Sequence, residues 1–161
     1  MEETRNITRA IFEGWHDYQQ LLIEAIAPLQ EDDLERRAAS HLRSVGENAQ
    51  HIIAARAYWF HRLMGEGGEQ FASLATWDDQ GAPSRSAEEL VKGLEQTWRG
   101  MHMAIDSWSD EDWQQTWPGR GNAPEAITRQ WIIWHLIEHD LHHGGEISLT
   151  LGIHNVAAPP L

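Results

Sequence analysis

The stretch "SAEELVKGLEQTWRGMHMAIDSW", Ser86 to Trp108, decides the architecture. Its opening Ser-x-x-Glu is a capping box, in which each side chain satisfies a backbone N–H that the first helical turn leaves free. Val91, Leu94, Trp98, Met101, Ile105 and Trp108 then recur at steps of three and four residues, which lays them along one face of a helix. A stripe of this kind is core. It requires other helices to cover it.

The rest of the chain supplies three more. Upstream, Ile11, Trp15, Tyr18, Leu22, Ile26 and Leu29 make one apolar stripe, predicting a helix from Thr4 to Leu29 that ends at Pro28 and the acidic "QEDDLERRAAS". A second capping box, "SVGE" from Ser44 to Glu47, opens a helix through "NAQHIIAARAYWFHRLM" that stops at "GEGGE". Gly65 to Arg85, with Phe71, Leu74, Trp77 and Pro83, is a long connection, read either as a functional loop or as a short extra helix wrapped on the bundle. Downstream, "SDEDWQQTWPGRGNAPE" carries Trp113 and Trp117, an aromatic loop suited to walling an apolar pocket or to plain packing. Pro124 is placed to begin a last helix reaching Gly152. No strand pattern competes. The expectation is all-α: a single domain over residues 1–161, an antiparallel four-helix bundle with long connections.

Composition narrows the function classes. With 41% apolar residues and nine Trp, the chain can bury a core. There is no cysteine, hence no disulfide or thiolate ligand. A net charge of −13 repels nucleic acid and anionic membrane. No run is long enough to span a bilayer and "MEETRNITRA" is not a signal peptide, so the expected setting is the cytoplasm.

Chemistry concentrates in "WHLIEHDLHHGGE", Trp134 to Glu146, which holds four of the ten histidines. Residues four apart on a helix lie about 40° apart, so His135, His139 and His143 form a ladder about 80° wide, shared with Ile132, Leu136 and Ile147. Two His at i and i+4 can clasp one divalent ion, but spacing leaves open which pair does so. His51 is the best source of a third ligand, because Ala54 and Ala55 beside it leave room and it shares a face with Glu47 and Tyr58. Three neutral imidazoles with an open position suit zinc, nickel, iron or copper. His16, His61 and His102 read instead as core histidines with hydrogen-bond partners. "HLIEH" also matches H-x-x-E-H, with Glu138 as base, but only 22 residues follow His139, too few for the downstream acidic ligand such peptidases need.

Three pieces, His51 in "ENAQHIIAARAYW", His139 with His143 in "EHDLHHGGEI", and the ending "LTLGIHN", carry a resemblance. The whole chain resembles the DinB-like superfamily of small bacterial metal-binding bundles, which is distinct from the DNA polymerase of similar name. The family's last helix reads roughly H-x-x-x-H-R-G-Q, and here Gly144 replaces the Arg and Glu146 the Gln. The resemblance implies metal ligation by His51, His139 and His143, with zinc or nickel foremost and iron, manganese or copper as further options. It also implies a homodimer and metal-dependent chemistry on small molecules: thiol transfer, isomerisation of thiol adducts, or hydrolysis of electrophiles. The expected partner is thus a small-molecule substrate, such as a low-molecular-weight thiol. Glu146 adds a carboxylate that would orient a ligand His or act as a base, and Glu47 and Tyr58 are further candidates for proton transfer. A non-catalytic metal-binding stress protein and a structural dimer are the alternatives. The last helix bears on the dimer separately: Ile127, Trp134, Ile137 and Leu141 lie opposite the His ladder and call for a second covering surface, either a partner subunit or the long loops.

Overall fold

The computed structural model describes residues 2–119 and 125–157, with side chains described from residue 9 onward. Seven helices and one short hairpin are present among them: α1 Glu2–Ile26, α2 Glu31–Leu34, α3 Val45–Ala57, α4 Gly68–Leu74, α5 Ala87–Ser107, α6 Asp110–Gln114, β1 Thr116–Pro118, β2 Ala126–Thr128 and α7 Arg129–Ile153. The long helices α1, α3, α5 and α7 form the expected bundle. α3 packs against α5 and α7, and α1 packs against the same two. The core runs between them through Trp15, Leu22, Ile52, Ile53, Leu94 and Ile132, all buried.

Both capping boxes form. Ser44 Oγ accepts from Glu47 N, and Ser86 Oγ accepts from Glu89 N, each with the carboxylate returning to the cap N–H. Beyond Ala57 the backbone of α3 widens into a π-helical turn, Tyr58–Leu63, which shifts the faces on which Tyr58 and Trp59 emerge. The Gly65–Arg85 connection contains α4, whose Phe71 and Leu74 are buried, so the extra-helix reading holds.

Three expectations are corrected. α1 ends at Ile26, three residues short of Leu29, and Leu29 enters the core from the turn that follows. Trp108 does not continue the α5 stripe. It is the extended C-cap residue, with its ring stacked on Phe60 at 5.8 Å. The segment before α7 holds a hairpin where no strand was expected: Trp117 pairs with Ile127, and Thr128 Oγ1 caps α7 by accepting from Trp131 N. Ile127 is therefore a buried strand residue and not part of the outer face of α7. Pro124 lies outside the described residues. Arg129 anchors this corner, buried under the rings of Trp108 and Trp117 and paired with Glu66 and Asp112.

A charged network crosses the core. Arg56 of α3 and Asp140 of α7 are both fully buried, joined by Nη2–Oδ2 at 2.7 Å and by Nε to both carboxylate oxygens at 3.1 and 3.2 Å. Trp15 of α1 donates to Asp140 at 2.7 Å, and Arg56 donates to Gln19 Oε1 at 2.7 Å and to Thr97 of α5 at 3.5 Å. Buried charges are tolerated when they are paired and hydrogen-bonded, and here one pair ties four helices together. Asp140 follows His139 in sequence. The network therefore sets the register of α7 on α3, and that register places the histidines.

Candidate metal centre

α3 brings His51, and two adjacent turns of α7 bring His139 and His143. Their ring centroids lie 4.7 Å (His51 to His139), 4.5 Å (His51 to His143) and 4.4 Å (His139 to His143) apart. One nitrogen from each lies within 4.8 Å of the other two, and His51 Nε2 approaches His139 Nε2 to 3.0 Å. Nitrogens held at right angles on one ion by bonds of roughly 2.1 Å are about 3.0 Å apart, and at the tetrahedral angle about 3.4 Å. The His51–His139 spacing falls at the lower of these values, and with His143 within reach of both the triad could hold a metal ion.

The outer ring nitrogens support that reading. His51 Nδ1 lies 2.7 Å from Asp78 Oδ2, and His143 Nδ1 lies 2.8 Å from Glu146 Oε2. A carboxylate at Nδ1 takes that N–H and leaves Nε2 as a lone pair, the tautomer a metal needs. His139 Nδ1 is buried without a hydrogen-bond partner. Burial foremost, followed by the neighbouring His143, His51 and His135, drives the His139 pKa down to about 2. Burial also lowers that of His143, against the opposing pull of Glu146. Both rings are therefore held neutral.

Asp78 was not legible in the sequence as a site residue. It stands on the turn after α4, within the connection singled out for its length, and it also meets Arg43 at 3.6 Å. Beside the triad a cavity of about 270 Å³ is lined by Ala54, Ala55, Tyr58, Trp59, Asp79 and His135, among others. His135 thus forms cavity wall, stacked on Trp131 at 5.0 Å with Nδ1 3.3 Å from Glu138. Tyr58, carried on the π-helical turn, lines the same cavity.

Other expected residues sit elsewhere. Glu47 closes its capping box and pairs with Arg37 through two contacts of 2.6 Å, facing a separate cavity. Trp113 and Trp117 do not line the cavity at the triad. Trp113 packs edge-on to Trp108 at 4.8 Å. His142 is exposed and points to Glu146 at 3.5 Å, so His142, His143 and Glu146 form a second group with ligand spacing that shares His143 with the first. The three presumed core histidines are also revised. His16 is exposed beside Trp98, while His61 Nδ1 and His102 Nε2 are buried without partners. Gly144, the departure from the family's Arg, has a local cause: a Cβ there would lie 2.0 Å from the Tyr18 hydroxyl.

Comparison with known proteins agrees with the helical fold. A DinB-like protein of Bacillus cereus ATCC 10987 superposes with a TM-score of 0.71 at 20% identity, over 93% of this chain and 94% of that one. A DinB-like protein of Bacillus subtilis gives 0.61 at 14% identity, over 91% and 93%. At these identities the likeness speaks for the fold alone. No protein of curated function matches the chain. Residues 3–147, nearly the whole bundle with all three histidines, match the DinB superfamily, and the chain belongs to that superfamily.

Proposed function

We propose that this protein is a metal-dependent enzyme whose His51, His139 and His143 hold one divalent ion. Zinc or nickel is the first choice, with iron, manganese and copper as further options for an all-imidazole set. The observation that carries the reading is the convergence of three imidazoles beside a cavity that His51 and His139 line, with carboxylates on the far nitrogens of His51 and His143. When bound, such an ion lowers the pKa of a coordinated thiol or water and so supplies a nucleophile at neutral pH.

The chain's own residues do the rest. Asp78 and Glu146 fix the ring orientation and tautomer of His51 and His143. The small Ala54, Ala55 and Ala75 leave space for a substrate of a few heavy atoms, walled by Tyr58, Trp59 and His135. Tyr58 at the wall, and Glu146 one hydrogen bond behind His143, are the candidates for moving a proton. Glu47, engaged by Arg37 and the cap of α3, drops out of that role. The reaction class is transfer of a thiol to, or hydrolysis of, a small electrophile.

The reading extends to a homodimer. On the outer face of α7, Trp134 is 60% exposed and Leu141 49%, continued by Leu149 and Ile153. Large apolar side chains left together on one helix face favour a protein partner.

The test is elemental analysis of the purified protein joined to a screen of thiol–electrophile pairs and hydrolysable electrophiles. The proposal expects about one divalent ion per chain and turnover that a chelator abolishes. Stoichiometric metal with no turnover anywhere in the screen would favour the non-catalytic metal-binding alternative.

A further inference from the structure

Resting on that reading of the site, we propose that Asp79 makes it select small thiols with a cationic tail over thiols with an anionic tail. The argument concerns the end of the substrate that does not meet the triad. A thiol engaged through its sulfur at His51, His139 and His143 would run the rest of its length along the cavity that His51 and His139 line. The charged residues lining that cavity are Asp78 and Asp79; no Lys or Arg lines it.

The two carboxylates are not equivalent. Asp78 is engaged on both sides, by His51 Nδ1 at 2.7 Å and by Arg43 at 3.6 Å. Asp79 makes no side-chain hydrogen bond or ion pair with any described residue, so its charge is uncompensated at the cavity wall. Arg62 lies over the ring of Tyr58 at 5.9 Å and does not line the cavity. Tyr58 and Trp59 stand on the same wall, and aromatic rings attract cations and repel anions at their faces. The chain's net charge of −13 acts in the same direction at longer range. An ammonium tail would thus find a free carboxylate and aromatic rings. A carboxylate or sulfonate tail would find no cation to pair with and one fixed charge of its own sign.

The test uses the full-length protein loaded with cobalt(II), whose sulfur-to-metal charge-transfer band reports thiolate binding without any turnover. Three probes of similar length are titrated at fixed pH and low salt: thiocholine, neutral 2-mercaptoethanol and 2-mercaptoethanesulfonate. Dissociation constants are expressed per thiolate, and the readout is the ratio of thiocholine to sulfonate affinity in the parent, Asp79→Asn and Asp79→Lys. Differences in the thiols' intrinsic metal affinity cancel between variants. The proposal expects the ratio to fall at least about threefold in Asp79→Asn and further in Asp79→Lys, the size of effect expected of one partly screened charge. Binding of 2-mercaptoethanol and of cobalt(II) itself should stay close to the parent. An unchanged ratio in both variants overturns the role of Asp79 while leaving the metal site standing. Failure of the parent to bind cobalt(II), or of any thiol to reach it, overturns the functional reading and this inference with it.

Discussion

His139 and Asp140 are neighbours in sequence and belong to two opposite kinds of polar cluster. Asp140 sits in a closed network. Arg56 takes both its oxygens, Trp15 adds a donor, and Gln19 and Thr97 complete the guanidinium, all out of contact with water. His139 sits in an open one. Its Nε2 faces another imidazole at 3.0 Å, its Nδ1 has no partner, and a cavity adjoins it. The protein pairs both charges of the first cluster with its own side chains and leaves an imidazole nitrogen without a partner in the second. A closed network fixes geometry, and an open one awaits a ligand. The pair works as a unit, because a site assembled from two helices is only as exact as the register between them.

Breaking the closed cluster should have the largest effect. Arg56→Met leaves Asp140 buried without its counter-charge, at an expected cost of about 3–5 kcal/mol, read as a lowered midpoint in chemical denaturation. Arg56→Met with Asp140→Leu should recover much of that loss, since both charges then leave the core. If the single variant costs no more than an exposed ion pair, about 0–1 kcal/mol, the network is not what sets the register.

Perturbing the open cluster from behind comes next. Asp78→Asn keeps the shape at His51 Nδ1 but removes the acceptor charge. It should weaken metal binding about 10–100-fold while leaving the denaturation midpoint of the metal-free protein nearly unchanged. Competition titration against a chromogenic chelator measures it. Equal affinity in parent and variant would separate Asp78 from the site.

Acid sharpens the contrast with a smaller, graded effect. Burial holds the His139 pKa near 2 in the folded metal-free protein, and that of His143 below its usual value. In the unfolded chain each histidine takes a proton below about pH 6.5. The unfolded state therefore binds more protons, and stability falls as pH drops from about 6.5 toward the folded values. His102, whose pKa burial also lowers, adds to the slope. Denaturation midpoints of the metal-free protein across this range should decline steadily, and His139→Gln should flatten the decline. A midpoint independent of pH between about 7 and 4 would mean that these rings are not held neutral.

What could be read in advance followed from local rules. The capping boxes at Ser44 and Ser86 are four-residue signals, and the i, i+4 step put His139 and His143 on one face before any fold was known. Spacing alone did not choose between His135 and His143. Family resemblance did, and the geometry brings His143, not His135, against His51. The parts that escaped depend on distance or on short elements. Asp78 reaches a histidine 27 residues away from an irregular turn, and Arg56 meets an aspartate 84 residues away, so no window of sequence contains either pair. The strands β1 and β2 are three residues each, too short for an alternation to stand out, and their pairing moved Ile127 from an expected helix face into the core. Widening of α3 at Tyr58 has no residue signature comparable to a proline or a cap.

The central claim is that His51, His139 and His143 together hold one ion, and the direct measurement is metal stoichiometry and affinity in single alanine variants. The parent, reconstituted with zinc or nickel and freed of loosely held ions, should carry about one per chain. His51→Ala, His139→Ala and His143→Ala should each fall to near zero while keeping the helical circular dichroism of the parent, and His142→Ala should retain the ion. A His51→Ala protein that keeps a full complement of metal at the parent's affinity would contradict the account, and would place the ion on α7 alone.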